Sequence, residues 1–130
     1  MKLKKFTFLI CAGFLLAGCN AKAQQDATYR QIDMNEAVTM MAEETGYIIL
    51  DVRTEDEFAA GHIPKAINIP NEVIGATDIP ELPNKAQLIL VYCRSGNRSK
   101  QASEKLVALG YTNIVEFGGI NSWPGEIVTD

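Results

Sequence analysis

Histidine and cysteine are scarce in this chain: of 130 residues one is a histidine, His62, and three are cysteines, Cys11, Cys19 and Cys93. Two of those cysteines fall in an N-terminal segment that reads as a leader, so too few Cys and His ligands remain for a closed zinc site. No metal and no cofactor are expected. Positive charge is thin as well, with 12 Lys and Arg against 16 Asp and Glu for a net charge of −4. The basic residues are scattered, which argues against a nucleic-acid surface. Long apolar runs are missing apart from Phe6 to Ala17, broken by Thr7 and Gly13, and that run is short for a bilayer span. A content of 47% hydrophobic and 22% charged residues suffices for one modest core and excludes two catalytic domains.

What is present begins with an address. Lys2, Lys4 and Lys5 precede the apolar run, the order of a secretory signal. The run ends in Leu16-Ala17-Gly18-Cys19, which resembles the lipobox of bacterial lipoproteins, where small residues precede a cysteine that is acylated and becomes the first residue. On that reading residues 1–18 are a signal peptide, 19–30 are the lipidated Cys19 with a polar tether, and 31–130 are the folded domain. The protein would then be a membrane-anchored lipoprotein of the cell envelope, facing the periplasm or the exterior, and Asn20 after the lipidated cysteine would favour the outer membrane of a cell that has one. The alternative is cleavage after Ala21-Lys22-Ala23, which yields a soluble periplasmic or secreted protein. Either cut removes Cys11 and leaves Cys93 as the one free thiol. A lone thiol in an oxidising compartment has no internal disulfide partner.

The remainder alternates strands and helices. Asp33 with Glu36 predicts a capping box, followed by Met34, Ala37, Val38, Met41 and Ala42 at helical spacing up to Gly46. Tyr47 to Leu50 reads as a buried strand, Thr54 with Glu57 caps a short helix that stops at Gly61, and Ala66 to Ile69 forms another strand. Asn71 to Asn84, with Pro80 and Pro83, is loop. Ala86 to Tyr92 is the strongest strand, apolar throughout and therefore buried on both faces. A helix from Ser99 to Leu109 follows, with Gly110 as its stop, and Ile114 to Phe117 is the last strand. This order predicts a small three-layer α/β domain with a mainly parallel sheet. A monomer is expected.

Ligands of parallel sheets bind at the carboxyl ends of the strands, and Cys93 stands where the most buried strand gives way to a helix. The next residues, Arg94, Ser95, Gly96, Asn97 and Arg98, supply two positive charges, a flexible glycine and successive amides that can converge on an anion. Such surroundings favour thiolate over thiol, which makes Cys93 a candidate nucleophile without a histidine base. An inert buried thiol would leave the two arginines and the glycine unexplained. Other residues have plainer readings. Asp51 and Arg53 form a buried ion pair, His62 is a hydrogen-bonded turn residue, and Phe58 and Trp123 are core anchors. Ser95 and Ser99 either bond the sulfur anion or cap the helix.

Taken together these residues resemble the rhodanese (sulfurtransferase) domain over about residues 31–128. Asp51-Val52-Arg53, Glu57-Phe58 and Gly61-His62-Ile63-Pro64-Lys65-Ala66-Ile67-Asn68-Ile69-Pro70 are similar to its first signature, with Lys65 where glycine is common. Cys93-Arg94-Ser95-Gly96-Asn97-Arg98-Ser99 is similar to its catalytic loop, and Gly118-Gly119-Ile120 with Trp123 to its closing signature. The resemblance implies that Cys93 takes the outer sulfur of an anionic donor such as thiosulfate, holds it as a persulfide cradled by Arg94 to Arg98, and passes it to a thiol or cyanide-like acceptor. Two rivals remain. A cysteine phosphatase or arsenate reductase also uses a thiolate in an anion loop, but four residues between Cys93 and Arg98 make a tighter cradle than the phosphatase motif, which has five. A non-enzymatic sulfur carrier or sensor is the other.

Overall fold

The structure is a computed structural model and describes residues 28–130. The segment expected to be a leader, Cys11, Cys19 and most of the expected tether lie outside the described residues. In chain order the elements are β1 (Arg30–Gln31), α1 (Met34–Glu43), β2 (Ile48–Asp51), α2 (Glu55–Ala60), β3 (Ile67–Asn68), β4 (Ile89–Cys93), α3 (Asn97–Ala108) and β5 (Ile114–Gly119). Single 3-10 turns occur at Asn71–Val73 and Ile120–Ser122. The five strands form one parallel sheet in the order β1-β5-β4-β2-β3, the α/β architecture expected.

Alternation along the strands builds two core layers. Leu50, Val52, Ile89, Val91, Cys93 and Ile114 face α3, where Ala102 and Leu106 meet them, and the long loop adds Ile74, Ile79 and Leu82. Ile49, Leu90, Tyr92, Val115 and Phe117 face α1 and α2, whose Ala37 and Phe58 close that side. Every residue of β4 is buried, as its unbroken apolar sequence predicts.

Differences from the sequence-based expectation have local causes. β1 pairs with β5 through Arg30 and Gln31, a strand too short and too polar to show in a pattern. β4 begins at Ile89 rather than Ala86, because the Asn84 side chain accepts the Ala86 N–H at 2.9 Å and holds 84–87 in a turn. α1 turns Met34, Ala37, Met40 and Met41 toward the sheet, leaving Val38 and Ala42 exposed: the helix meets the sheet at β5, near its edge, so only a narrow stripe is covered. Asp33 does cap α1, accepting the Glu36 N–H at 2.8 Å. α3 begins two residues early, at Asn97, because Gly96 at φ 121° turns the chain directly into the helix.

Lys65 sits at φ 73°, in the left-handed region. This is the position where the signature has glycine, and a side chain there costs about 1 kcal/mol. His62 fills its expected turn: Nδ1 lies 2.9 Å from the Phe58 carbonyl, Nε2 lies 3.0 Å from Asp130 Oδ1, and the ring stacks on Phe58. Its backbone pairs with Val128, which fastens the C-terminal segment to the domain.

Candidate functional site

Cys93 is the last residue of β4 and is 1% exposed. A buried thiol is normally pushed toward its neutral form. Here burial does push the Cys93 thiol up, but the hydrogen bond shared with the Ser99 hydroxyl and those from the amides of Ser99, Gly96 and Ser95 outweigh it and hold the thiol below its ordinary value. The Gly96 N–H donates to Sγ at 3.0 Å, and the sulfur lies 3.4 Å from Ser99 Oγ. The chain after Cys93 therefore curls around the sulfur, with α3 starting beneath it.

The closing glycines make that curl possible. A register shift between β4 and β5 brings Gly119 opposite Cys93. A Cβ on Gly119 would overlap the Arg94 carbonyl, so only glycine allows β5 to approach the loop this closely. The Asn121 N–H then donates to the Arg94 carbonyl at 3.2 Å and pins the loop from the other side.

The predicted loop residues divide by role. Gly96 and Ser95 contribute backbone donors to the sulfur, while the Ser95 and Asn97 side chains face solvent. Arg94 is exposed at the rim. Arg98 is not aimed at the sulfur as a free charge: its guanidinium forks onto Glu57 at 2.7 and 3.0 Å, joining α3 to α2. The Arg98 hydrogen bonds, followed by those of Thr54, outweigh the effect of burial and hold the Glu57 carboxyl down at about 2. The groups that hold the thiol down are hydrogen-bond partners of the sulfur, while Arg98 couples to Cys93 through its charge with its guanidinium bound to Glu57.

Asp51 and Arg53 form the buried pair read from the sequence, at 2.6 Å, with Arg53 also donating to the Gly61 carbonyl at 2.7 Å. The pair holds the turn after α2 and lies with Tyr92 on the face of the sheet opposite Cys93. Two residues at the site were not assigned from the sequence. Ser99, weighed as an anion contact or a cap, is a buried residue inside the helix whose hydroxyl reaches Cys93, Gly96 and Glu116. Glu116 is the other; its one signal is a carboxylate inside the apolar run Ile114-Val115-Glu116-Phe117. Among the described residues no group of three or more His, Cys, Asp and Glu has the arrangement of a metal site.

Comparison with known proteins agrees with this geometry. Residues 33–126 match the Rhodanese-like domain family. Thiosulfate sulfurtransferase 18 of Arabidopsis thaliana is 38% identical over 100 residues, covering 68% of this chain and 72% of that protein. A sulfurtransferase of Allochromatium vinosum is 35% identical over 94 residues, covering 72% of this chain and 86% of its own length. The adenylyltransferase and sulfurtransferase uba4 of Ogataea parapolymorpha is 33% identical over 103 residues, 76% of this chain, but the match spans only 26% of that longer protein. Among solved structures, a rhodanese-related protein from Thermoplasma volcanium superposes with a TM-score of 0.64 at 30% identity, covering 78% of this chain and 100% of that one. A rhodanese from E. coli, solved with anions, gives a TM-score of 0.59 at 31% identity over 65% of this chain and 99% of that one. The sulfur cradle at the end of β4, the glycines that close over it and these likenesses place the chain in the rhodanese-like domain family.

Proposed function

We propose that the protein is a rhodanese-type sulfurtransferase that carries sulfane sulfur on Cys93, with thiosulfate as a donor. The observation that carries this reading is the Cys93 sulfur held at the end of β4 by the Gly96 amide and the neighbouring donors. Those groups stabilise an anion on sulfur, and a persulfide is such an anion one atom longer. In the first step the Cys93 thiolate attacks the outer sulfur of thiosulfate, the sulfur–sulfur bond of the donor breaks, and sulfite departs with the electron pair. In the second, a thiolate or cyanide attacks the terminal sulfur of the persulfide and the Cys93 thiolate is released. Relatives named thiosulfate sulfurtransferase, in Arabidopsis thaliana and Escherichia coli, support the donor.

The phosphatase reading needs a guanidinium free to clamp a tetrahedral oxyanion. Arg98 is committed to Glu57, which favours sulfur transfer. Intact mass spectrometry tests the proposal: incubation with thiosulfate adds one sulfur, cyanide removes it, and Cys93→Ser shows neither change while keeping its fold. Sulfur transfer by a folded Cys93→Ser protein above a trace would overturn the mechanism.

The cell-envelope location is proposed alongside it. Leu16-Ala17-Gly18-Cys19 supports acylation of Cys19, and the polar stretch to Arg30 would then lift the domain off the membrane.

A further inference from the structure

β5 carries a charge where its neighbours are apolar. Ile114, Val115 and Phe117 are core residues, and Glu116 between them is 3% exposed. Among the described residues no Lys, Arg or His nitrogen comes within 4.0 Å of its carboxylate. Its partners are the Ser99 hydroxyl, donating to Oε2 at 2.6 Å, and the Gly118 N–H, donating to the same oxygen at 2.9 Å. A buried carboxylate without a cation is costly and serves packing worse than a leucine would. By strand alternation Glu116 faces α3 together with Ile114, the side on which Cys93 and Ser99 lie.

The Ser99 hydroxyl owns a single hydrogen, and its oxygen lies 2.6 Å from Glu116, 2.9 Å from the Gly96 carbonyl and 3.4 Å from Cys93 Sγ. While that hydrogen points to an ionised Glu116, the oxygen turns its lone pairs to Cys93 and accepts from the thiol. Once Glu116 carries a proton, the carboxylic acid donates to Ser99 and the Ser99 hydrogen becomes free to donate to a thiolate. The protonation state of Glu116 therefore decides which form of Cys93 the serine supports.

We infer that Glu116 is the proton acceptor for Cys93, acting through Ser99. The Cys93 S–H bond breaks as its proton passes to Ser99 Oγ, and the original Ser99 hydroxyl proton passes to Glu116 Oε2. The products are a thiolate, a neutral serine and a neutral carboxylic acid. The site carries one negative charge before and after the transfer, so no cation has to enter. Other charged groups around the pair are engaged or exposed: Arg98 of α3 is forked to Glu57 of α2, Glu72 of the 3-10 turn lies on the Arg98 side, and Lys105 donates to Asn71. Arg94, Lys100 and Glu104 face solvent, as does Arg30 of β1 beside Val115. The inference rests on Cys93 as the nucleophile of the proposed reaction, but its test does not use sulfur transfer.

The test is the pH profile of Cys93 alkylation by iodoacetamide, an uncharged reagent. Two groups that share one proton titrate as a pair. The wild-type rate is expected to rise to a partial plateau and then climb again as the second proton leaves. Glu116→Gln retains an acceptor for the Gly118 N–H but cannot take the proton, and should give a single step with the plateau lost. Ser99→Ala keeps the carboxylate and cuts the relay, and should lose the plateau as well. A single step in wild type with the same midpoint in a folded Glu116→Gln would overturn the inference. Infrared spectra of the wild-type protein give an answer even if both variants unfold. Through the plateau a protonated-carboxyl band should coexist with a partly depleted S–H band, and loss of the S–H band with no such carboxyl band would equally overturn the relay. A protein that fails to take sulfur from thiosulfate yet shows the two-step profile refutes the proposed function and leaves the relay standing.

Discussion

At the scale of single residues, the site separates two arginines that a sequence presents as equivalent. Arg94 is exposed at the rim, where an incoming dianion passes it. Arg98 is bound bidentately to Glu57. Arg94→Ala should therefore raise the KM for thiosulfate several-fold, an effect that shrinks as salt screens the charge, with the Cys93 alkylation midpoint unmoved. Arg98→Ala should leave the salt dependence unchanged and shift that midpoint less than Ser99→Ala does. Thiosulfate titrations at two ionic strengths, with alkylation profiles of the three variants, check both statements. A shift in Arg98→Ala as large as that in Ser99→Ala would return the leading role to charge. Cys93 itself was legible because its neighbours in sequence are its neighbours in space. Glu116 was not, since what gives it meaning is a hydroxyl 17 positions earlier in the chain.

At the scale of elements, the capping box of α2 shows how one side chain serves two structures. Glu57 returns to the Thr54 N–H at 3.2 Å, the half of the box that sequence reveals, while the same carboxylate holds Arg98 on α3. Its carboxyl is held at about 2 against an ordinary value of 4.5. The folded-state value is the lower one, so the stabilisation is complete above pH 4.5 and disappears as pH falls toward 2. The shift corresponds to about 3 kcal/mol between protonation states, which partial exposure of both side chains reduces to about 1 kcal/mol. Glu57→Gln should thus be less stable than wild type by about 1 kcal/mol at neutral pH, and the two should converge near pH 2. Urea unfolding of both proteins across that range measures the gap. A gap that stays constant with pH would show that the carboxylate charge contributes nothing.

At the scale of the whole molecule, the address and the domain are separate problems. If Cys19 carries acyl chains as proposed, the N-terminal peptide of protein purified from the cell envelope should begin at Cys19 with the added acyl mass, and more than one chain is needed for stable anchoring. An unmodified N-terminus at Gln24 would instead establish cleavage after Ala23. Within the domain, the alternation of helices and strands after β1, the burial of β4 and the location of Cys93 followed from the sequence alone, because periodicity, caps and glycine stops act over a few residues. Those short-range forces also placed the Asp51 and Arg53 pair, two residues apart and joined at 2.6 Å. The tertiary structure decided what depends on contacts distant in sequence. It inserted β5 between β1 and β4, set Gly119 against the Arg94 carbonyl, drew Arg98 onto Glu57 41 positions away, and put the Glu116 carboxylate behind Ser99. In each case the partners are brought together by the packing of the parallel sheet against its helices, and burial then gives a carboxylate, a guanidinium or a thiol the chemistry that it lacks in an extended chain.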